Sequence, residues 1–125
     1  MEKDTVAFVR GNTIQLVRVK HARTFGERFM GLMGVSPREH HYAVVFHMAH
    51  EGRMSASIHM LFMRMPIDVL FLNGQRGVVD VVEGLTPWVL NYTPVRPAKY
   101  VVEFPARTLS SLLRGKKQSD LSVKW

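Results

Sequence analysis

The chain contains no cysteine. This absence excludes a disulfide framework, a zinc site with cysteine ligands and a thiol nucleophile. The sequence also lacks a run of about 18 continuous apolar residues, which is the length that a membrane-spanning helix needs. Arg64 and Asp68 interrupt the most apolar region, so we predict no membrane span. The N-terminal stretch MEKDTVAFVRG lacks the apolar run of a signal peptide, and we therefore expect a cytoplasmic protein, although a chain trimmed of its leader would look the same.

Acidic residues are in the minority. Ten Asp and Glu against 17 Lys and Arg give a formal net charge of +7, which favours weak attraction to nucleic acid or to anionic surfaces. The densest basic cluster is Arg114, Lys116 and Lys117. No aromatic residues interleave with it, as a stacking platform for single strands would require. Nucleic-acid binding through the basic surface is therefore a minor alternative, which a stripe joining this cluster to Arg96 and Lys99 would support.

Short β-branched and aromatic runs, separated by turn signals, dominate the 125 residues. We predict one domain, residues 1–125, since this length suits a single core. The fold is predicted to be mainly β: an antiparallel β-sandwich, jelly-roll-like or a distorted barrel, with two or three short helices. The predicted strands are 5–9, 13–19, 42–48, 56–63, 67–72, 78–82, 100–104 and 121–123.

Three segments carry helix-start signals. Thr24-Phe-Gly-Glu27 fits a capping box. In this motif the threonine side chain accepts a hydrogen bond from the glutamate backbone N–H, and the glutamate side chain accepts one from the threonine backbone N–H. We expect this helix to stop at Gly34. Ser36-Pro-Arg-Glu39 predicts a single helical turn, and Pro105 opens a helix that stops at Gly115.

Several motifs, in order along the chain, match those of a known family. Arg28-Phe-Met-Gly31-Leu32-Met33 resembles the R-x-x-G-L-M box of the domain of unknown function 192 family (DUF192). The resemblance continues through nearly the whole domain, and it implies a compact, mostly β, jelly-roll-like sandwich with no established biochemical activity. The structural positions that it marks are Gly31, Leu32, Met33, Met60, Pro66 and Glu103.

Three places depart from the family's pattern. His59 stands where the family usually has tryptophan, residues 61–63 (Leu-Phe-Met) replace a polar Lys-Asn-Thr, and Arg107 replaces a glycine. A site built on those groups would therefore differ in this chain.

Asp68 is the most unusual residue, because it stands inside the apolar run PIDVLF. A buried carboxylate must be paired or hydrogen-bonded. Its candidate partners are Arg28, Arg64 and backbone N–H groups of a neighbouring turn, and we predict an ion pair with Arg28 that ties the first helix to the sheet. The functional alternative is a carboxylate that lines a pocket, with Arg28 as an anion-binding fork.

The methionines and histidines form a second candidate group. Thioether and imidazole groups suit a soft metal such as Cu(I), but methionine is also a common filler of core gaps. Strand alternation would split Met60 from Met63 and Met65, and the histidines lack a tight ligand motif. We therefore expect no metal and no cofactor.

A binding or accessory module for a small ligand or a partner is the favoured function, with Arg28, His59, Asp68 and Trp88 as the candidate ligand-binding residues. Trp88 lies in a long proline-bearing loop, where it would either plug one end of the fold or form a binding platform. The alternative is a hydrolase-like enzyme that uses Asp68 with His59, although no catalytic motif is present. Asp80 and Glu103 are expected to face solvent.

Overall fold

A seven-stranded curled sheet forms the body of the protein in the computed structural model, which describes residues 1–10, 13–36, 38–39, 41–113 and 121–125. The elements are β1 (Glu2–Arg10), β2 (Thr13–Ala22), α1 (Phe25–Met30), β3 (Ala43–Gly52), β4 (Ile67–Leu72), β5 (Val78–Leu85), β6 (Ala98–Pro105), α2 (Thr108–Leu113) and β7 (Leu121–Lys124). The strand order is β5-β4-β6-β3-β2-β1-β7, and the sheet curls into a half-barrel. The prediction of a mainly β fold with short helices is confirmed, and the distorted barrel is the predicted form nearest to it. No helix in the described ranges is long and apolar enough to cross a membrane.

Strands β2 and β3 run parallel, with Val19 opposite Ala43 and Ala22 opposite Phe46. At this pair the sheet departs from the predicted antiparallel arrangement. The reason is the connection between the two strands, which carries α1 back across the sheet. Parallel neighbours need such a crossover of a dozen or more residues, whereas antiparallel neighbours can be joined by a tight turn.

Both faces of the sheet are covered. One core, on what we call face A, lies under α1 and the irregular segments 53–66 and 86–97. The other, on face B, lies under α2. Side chains alternate between the two: Phe46, Phe71 and Val101 are on face A, and Val45, Leu70 and Phe104 are on face B. Because both faces are buried, the central strand β4 is an uninterrupted apolar run apart from Asp68.

The methionine-rich stretch is not a strand. Residues 53–66 form turns and a single β-bridge, between Ile58 and Tyr92, so the predicted strand 56–63 is wrong. Phe62 has a backbone φ of 61°, which an extended strand does not allow. As a result, Met60, Met63 and Met65 all enter the core of face A, and the predicted separation of Met60 from the other two is also wrong.

Helix α1 begins with the predicted capping box. The Thr24 hydroxyl accepts from the Glu27 N–H at 3.1 Å, and a Glu27 carboxylate oxygen accepts from the Thr24 N–H at 3.1 Å. Hydrogen bonds from the backbone N–H groups of Thr24 and Arg23 lower the pKa of Glu27 to about 2. The helix ends at Gly31, three residues before the predicted stop.

The second predicted helix start, residues 36–39, is a turn in the described part of the chain, where the Glu39 N–H donates to the Ser36 carbonyl at 3.0 Å. Pro37 lies outside the described residues, as do the predicted stop at Gly115 and the predicted hairpin turn at 11–12.

The backbone and the neighbours of Gly31 show why the R-x-x-G-L-M box needs a glycine at this position. Its φ is 42°, a left-handed value that a side chain disfavours. A Cβ atom there would also lie 2.8 Å from Cζ of Phe46, a face A core residue. The glycine therefore lets α1 end directly against the sheet.

Replacing Gly31 with alanine should lower the free energy of unfolding by about 1–3 kcal/mol, because the new methyl group meets both the strained backbone and the Phe46 ring. Gly26 is a matched control in the same helix, since a Cβ there meets nothing within 4 Å. Gly26→Ala should be neutral or stabilising by up to about 1 kcal/mol. Urea denaturation of the two variants measures the difference, and equal stabilities would contradict the packing role of Gly31.

Candidate functional site

Asp68 connects β5 and α2 through hydrogen bonds on face B. Its side chain is only 1% exposed, and both oxygens accept backbone hydrogen bonds of 2.9 Å, one from Gly84 N–H and one from Leu109 N–H. Gly84 (φ 68°) lies where the register of β5 against β4 shifts, and Leu109 is in the first turn of α2. The carboxylate therefore caps α2 and stabilises a β-bulge. Of its predicted partners, the backbone N–H groups are the ones that it binds.

Arg28 does not pair with Asp68. Its Nη1 donates to the carbonyl oxygens of Arg23 (2.5 Å) and His47 (3.3 Å) on the α1 side of the sheet. The predicted ion pair is wrong because strand alternation points Asp68 to face B while α1 lies on face A. For the same reason Asp68 does not meet His59, which lines a pocket on face A, so the pair of the hydrolase hypothesis is not assembled.

That pocket, of about 240 Å³, lies between α1, β3 and the segment 55–63. Its apolar wall comes mainly from Phe25, Phe29, Phe46, Met48, Ile58 and Met63. Its polar side chains are Arg28, Ser55, Ser57, His59 and Glu103. Gly31, Leu32 and Met33 of the R-x-x-G-L-M box also line it, so the box that ends the helix also shapes the pocket.

Glu103 lies at the sheet side of the pocket. It sits on β6 between its cross-strand neighbours Val44 and Val69 and is 7% exposed. Within the described part of the chain its carboxyl group has no hydrogen-bond or ion-pair partner. Desolvation by burial raises the pKa of Glu103 to about 8. At neutral pH the group is therefore mostly protonated, and its O–H is a free donor.

The expectation that Glu103 faces solvent is wrong. Strand β6 is central, and both of its faces are covered. Successive side chains of β6 therefore point into one core or the other, and neither direction leads to solvent. Asp80 is not free in solvent either, since it accepts from the Tyr92 hydroxyl at 2.7 Å.

Arg28 and His59 supply the other donors of the pocket. Among the described residues, no partner is found for Nε and Nη2 of Arg28. The Nδ1 atom of His59 accepts from the Leu61 N–H at 3.2 Å, which places the proton of a neutral ring on Nε2. Together with Glu103, the pocket thus presents three groups that donate hydrogen bonds at neutral pH.

Trp88 is 56% exposed, so of its two predicted alternatives the plug of one end of the fold is wrong. It contacts Phe62, which is 58% exposed, with ring centroids 5.2 Å apart. Both residues have positive φ, 69° and 61°, an uncommon backbone state for bulky side chains. The pair belongs to the two segments that cover face A, and Trp88 does not line the pocket. Of the other motif positions, Met60 is in the core, and Pro66 is exposed just before β4.

A histidine chain on face B was not predicted. His21 Nδ1 lies 2.7 Å from His47 Nε2, and His21 Nε2 lies 3.3 Å from Asp4 Oδ2. Desolvation by burial, followed by the charge of Arg23, lowers the pKa of His47 to about 4. With His47 neutral, a proton on its Nε2 is donated to His21 Nδ1, and the other ring nitrogen of His21 faces the Asp4 carboxylate. The sequence does not show this contact, because it depends on the parallel pairing of β2 with β3, which was not predicted.

A model of the DUF192 family, described as uncharacterized ACR, matches residues 6–116. The chain belongs to this family. A UPF0127 protein from Pyrococcus furiosus is 46% identical over 96 residues, which cover 77% of the DUF192 chain and 78% of that protein. A UPF0127 protein from Thermococcus sibiricus is 46% identical over 95 residues, 76% of the chain and 59% of the relative. The DUF192 chain therefore spans less than two thirds of the second relative's length.

Two solved structures share the fold of the DUF192 chain. A protein of unknown function from Novosphingobium aromaticivorans aligns with a TM-score of 0.84 at 19% identity, over 98% of this chain and 85% of its own. A protein from Sinorhizobium meliloti, named as a candidate transcription regulator, also aligns with a TM-score of 0.84, at 20% identity, over 98% of this chain and 93% of its own. At these identities the likeness concerns the fold alone.

Removing the Asp68 side chain should unfold the protein more easily. Asp68→Ala leaves the buried N–H of Leu109 and the part-buried N–H of Gly84 without acceptors. A buried unsatisfied group costs about 1–3 kcal/mol and the more exposed one less, so we expect a loss of about 1–4 kcal/mol in urea denaturation. Asp68→Asn keeps one acceptor oxygen and should lose less. The exposed Glu83, beside the same bulge, is the control, and Glu83→Ala should change stability by less than about 0.5 kcal/mol. If Asp68→Ala loses no more unfolding free energy than Glu83→Ala, then Asp68 does not stabilise the fold in this way.

Glu103 should make the protein less stable as the pH rises. Its pKa is higher in the folded state, about 8, than the ordinary 4.5, so the folded state holds the proton that the unfolded state releases between these values. The stabilisation is complete below pH 4.5 and is lost as the pH rises toward 8. Glu103→Gln removes this term, and its stability relative to the unmodified protein should increase by about 3 kcal/mol between about pH 5 and about pH 8. Parallel pH profiles of urea denaturation for the two proteins would show that Glu103 ionises normally.

Proposed function

We propose that this DUF192 protein is a binding module that holds a small molecule in the pocket of face A. The observation that carries the proposal is Glu103, a buried carboxyl group that opens into the pocket with no partner among the described residues. A mostly buried polar group needs a hydrogen-bond partner, and the carboxyl group of Glu103 can take one from the pocket that it lines. A bound molecule would supply the missing partner.

The wall of the pocket supports the same proposal. Ligand sites are mostly apolar clefts with a few convergent polar groups. Here aromatic and methionine side chains surround Arg28, His59 and Glu103. The volume of about 240 Å³ lies below the range of about 300–1,000 Å³ that drug-sized molecules occupy, so the ligand is a smaller molecule.

A binding role fits the geometry better than the hydrolase alternative. Asp68 is held by backbone N–H groups on the other face. In the pocket, the Ser57 hydroxyl shares a hydrogen bond with the Thr93 hydroxyl at 2.8 Å, so it is not directed at His59 as a nucleophile would be.

Nucleic-acid binding has less support. The cluster Arg114, Lys116 and Lys117 lies outside the described residues. Arg96 donates to the Val79 carbonyl, and Lys99 donates to two carbonyls on β3. These two cations are therefore partly engaged in holding the sheet together. The name of the Sinorhizobium meliloti protein concerns that protein, and the shared fold does not transfer a DNA-binding role.

A fragment screen tests the binding proposal. Small compounds are added to isotope-labelled protein, and ¹H–¹⁵N shifts are mapped onto the chain. We expect saturable shifts at the amides of Gly31, Ile58 and Glu103. Met48→Trp, which places a larger ring in the pocket wall, should weaken these compounds at least about tenfold. Leu90→Trp, at a site 76% exposed and outside the pocket, should not.

The spectrum of each variant checks that it is folded. Shifts that gather around Phe62 and Trp88 and persist in Met48→Trp would move the site to the surface pair. A screen without saturable shifts would reject the binding module.

A further inference from the structure

The polar groups of the face A pocket are complementary to an acceptor. Glu103 offers an O–H, Arg28 offers Nε–H and Nη2–H groups, and His59 offers Nε2–H. The two serines add little, because Ser57 is already bonded to Thr93 and Ser55 is exposed. A ligand head with several acceptor lone pairs and no need to donate would satisfy all three groups.

The charge of the pocket further restricts which ligand head groups it can bind. Among the described residues, Arg28 on α1, His59 on the covering segment and Glu103 on β6 are the titratable or charged side chains that line it. The neighbours of Glu103 on β3 and β4 are Val44 and Val69, which carry no charge. With Glu103 neutral, the fixed charge of the pocket is the guanidinium of Arg28. An anionic head is therefore attracted, whereas an organic cation would meet a like charge and three donors.

We propose that the ligand of this pocket is a small amphipathic carboxylic acid, bound as its carboxylate between the Glu103 carboxyl group and the Arg28 guanidinium, with its apolar part against Phe46, Met48 and Ile58. The inference rests on the binding module proposed above and names its ligand class. Guanidinium and carboxylate groups form strong, charge-assisted hydrogen bonds. A carboxylic acid that donates to a carboxylate forms a second short hydrogen bond, which the low polarity of the site strengthens.

Arg28 is held in place for this task. Its Nη1 bonds two backbone carbonyls, those of Arg23 before α1 and His47 on β3. This leaves the other edge of the guanidinium, Nε and Nη2, free within the described residues. That edge is the one that binds carboxylates in a two-point geometry. A preorganised donor loses little conformational freedom on binding.

The affinity of the pocket for a carboxylate should fall as the pH rises. A ligand carboxylate binds best while Glu103 keeps its proton, and ionisation of Glu103 would place two like charges side by side. Affinity should therefore be highest near neutral pH and fall as the pH rises through about 8. An amine ligand would show the opposite trend, because it would favour the ionised carboxylate.

Three probes with one apolar body and different heads test the ligand class: phenylacetate, phenylacetamide and phenethylamine. Their dissociation constants are measured by NMR titration at about pH 7 and about pH 9. We expect phenylacetate to bind at least about tenfold more tightly than phenethylamine at the lower pH, and to lose most of that advantage at the higher pH.

A matched pair of variants isolates the role of Glu103. Glu103→Gln keeps a donor that cannot ionise, so it should weaken phenylacetate about threefold and abolish the pH dependence of binding. Glu103→Leu keeps the size without a donor and should weaken phenylacetate at least about tenfold. Glu83→Gln is the control for charge alone, since Glu83 is exposed and outside the pocket, and it should leave the affinity unchanged.

The outcomes separate the inference from the proposed function. Pocket shifts with phenethylamine or phenylacetamide that equal or exceed those with phenylacetate would overturn the carboxylate and leave the binding module in place. Phenylacetate binding with the same pH profile in Glu103→Gln as in the unmodified protein would also overturn it. Failure of these probes and of the whole fragment screen in the pocket would overturn both.

Discussion

Two-sided burial of the central strands is the constraint on which the rest of this structure depends. Strands β4 and β6 lie next to each other with a core on each face, so any polar side chain on them enters an apolar layer. Two carboxyl groups do so, in opposite directions. Asp68 keeps both oxygens hydrogen-bonded by backbone N–H groups, while Glu103 has no partner among the described residues and, with its pKa raised to about 8 by burial, keeps its proton at neutral pH. One group therefore holds the fold together, and the other is left available to a ligand.

Local chemistry made parts of the fold predictable. The capping box at Thr24 is complete within four residues, so it could be recognised without any knowledge of the tertiary structure. Strand β4 was predicted with its observed bounds, 67–72, because proline before it and an Asn-Gly turn after it mark its ends. Of the four candidate ligand-binding residues, Arg28 and His59 line the face A pocket, whereas Asp68 and Trp88 lie elsewhere, and their role in binding stays a prediction.

The errors share one physical origin. Which face a strand residue occupies depends on register and on what covers the sheet, and neither is encoded in a short window. Asp68 and Arg28 stand in the two most distinctive motifs, yet the sheet separates them. Glu103 follows two valines in an apparently ordinary strand, and only the central position of β6 buries it. The methionine segment 56–63 has the composition of a strand because it too is buried, although as irregular chain.

The two tryptophans lie on different sides of the sheet, and this gives the protein an optical reporter for each side. Trp88 stands exposed on the chain that covers face A, in contact with Phe62. Trp125 lies with the face B histidines, 5.8 Å from the His47 ring, with the Arg76 guanidinium 4.2 Å above its own ring. A collisional quencher such as iodide should therefore reach Trp88 more readily than Trp125, whose ring packs against His47 and Arg76. Fluorescence can therefore follow events at the two cores separately, without any label.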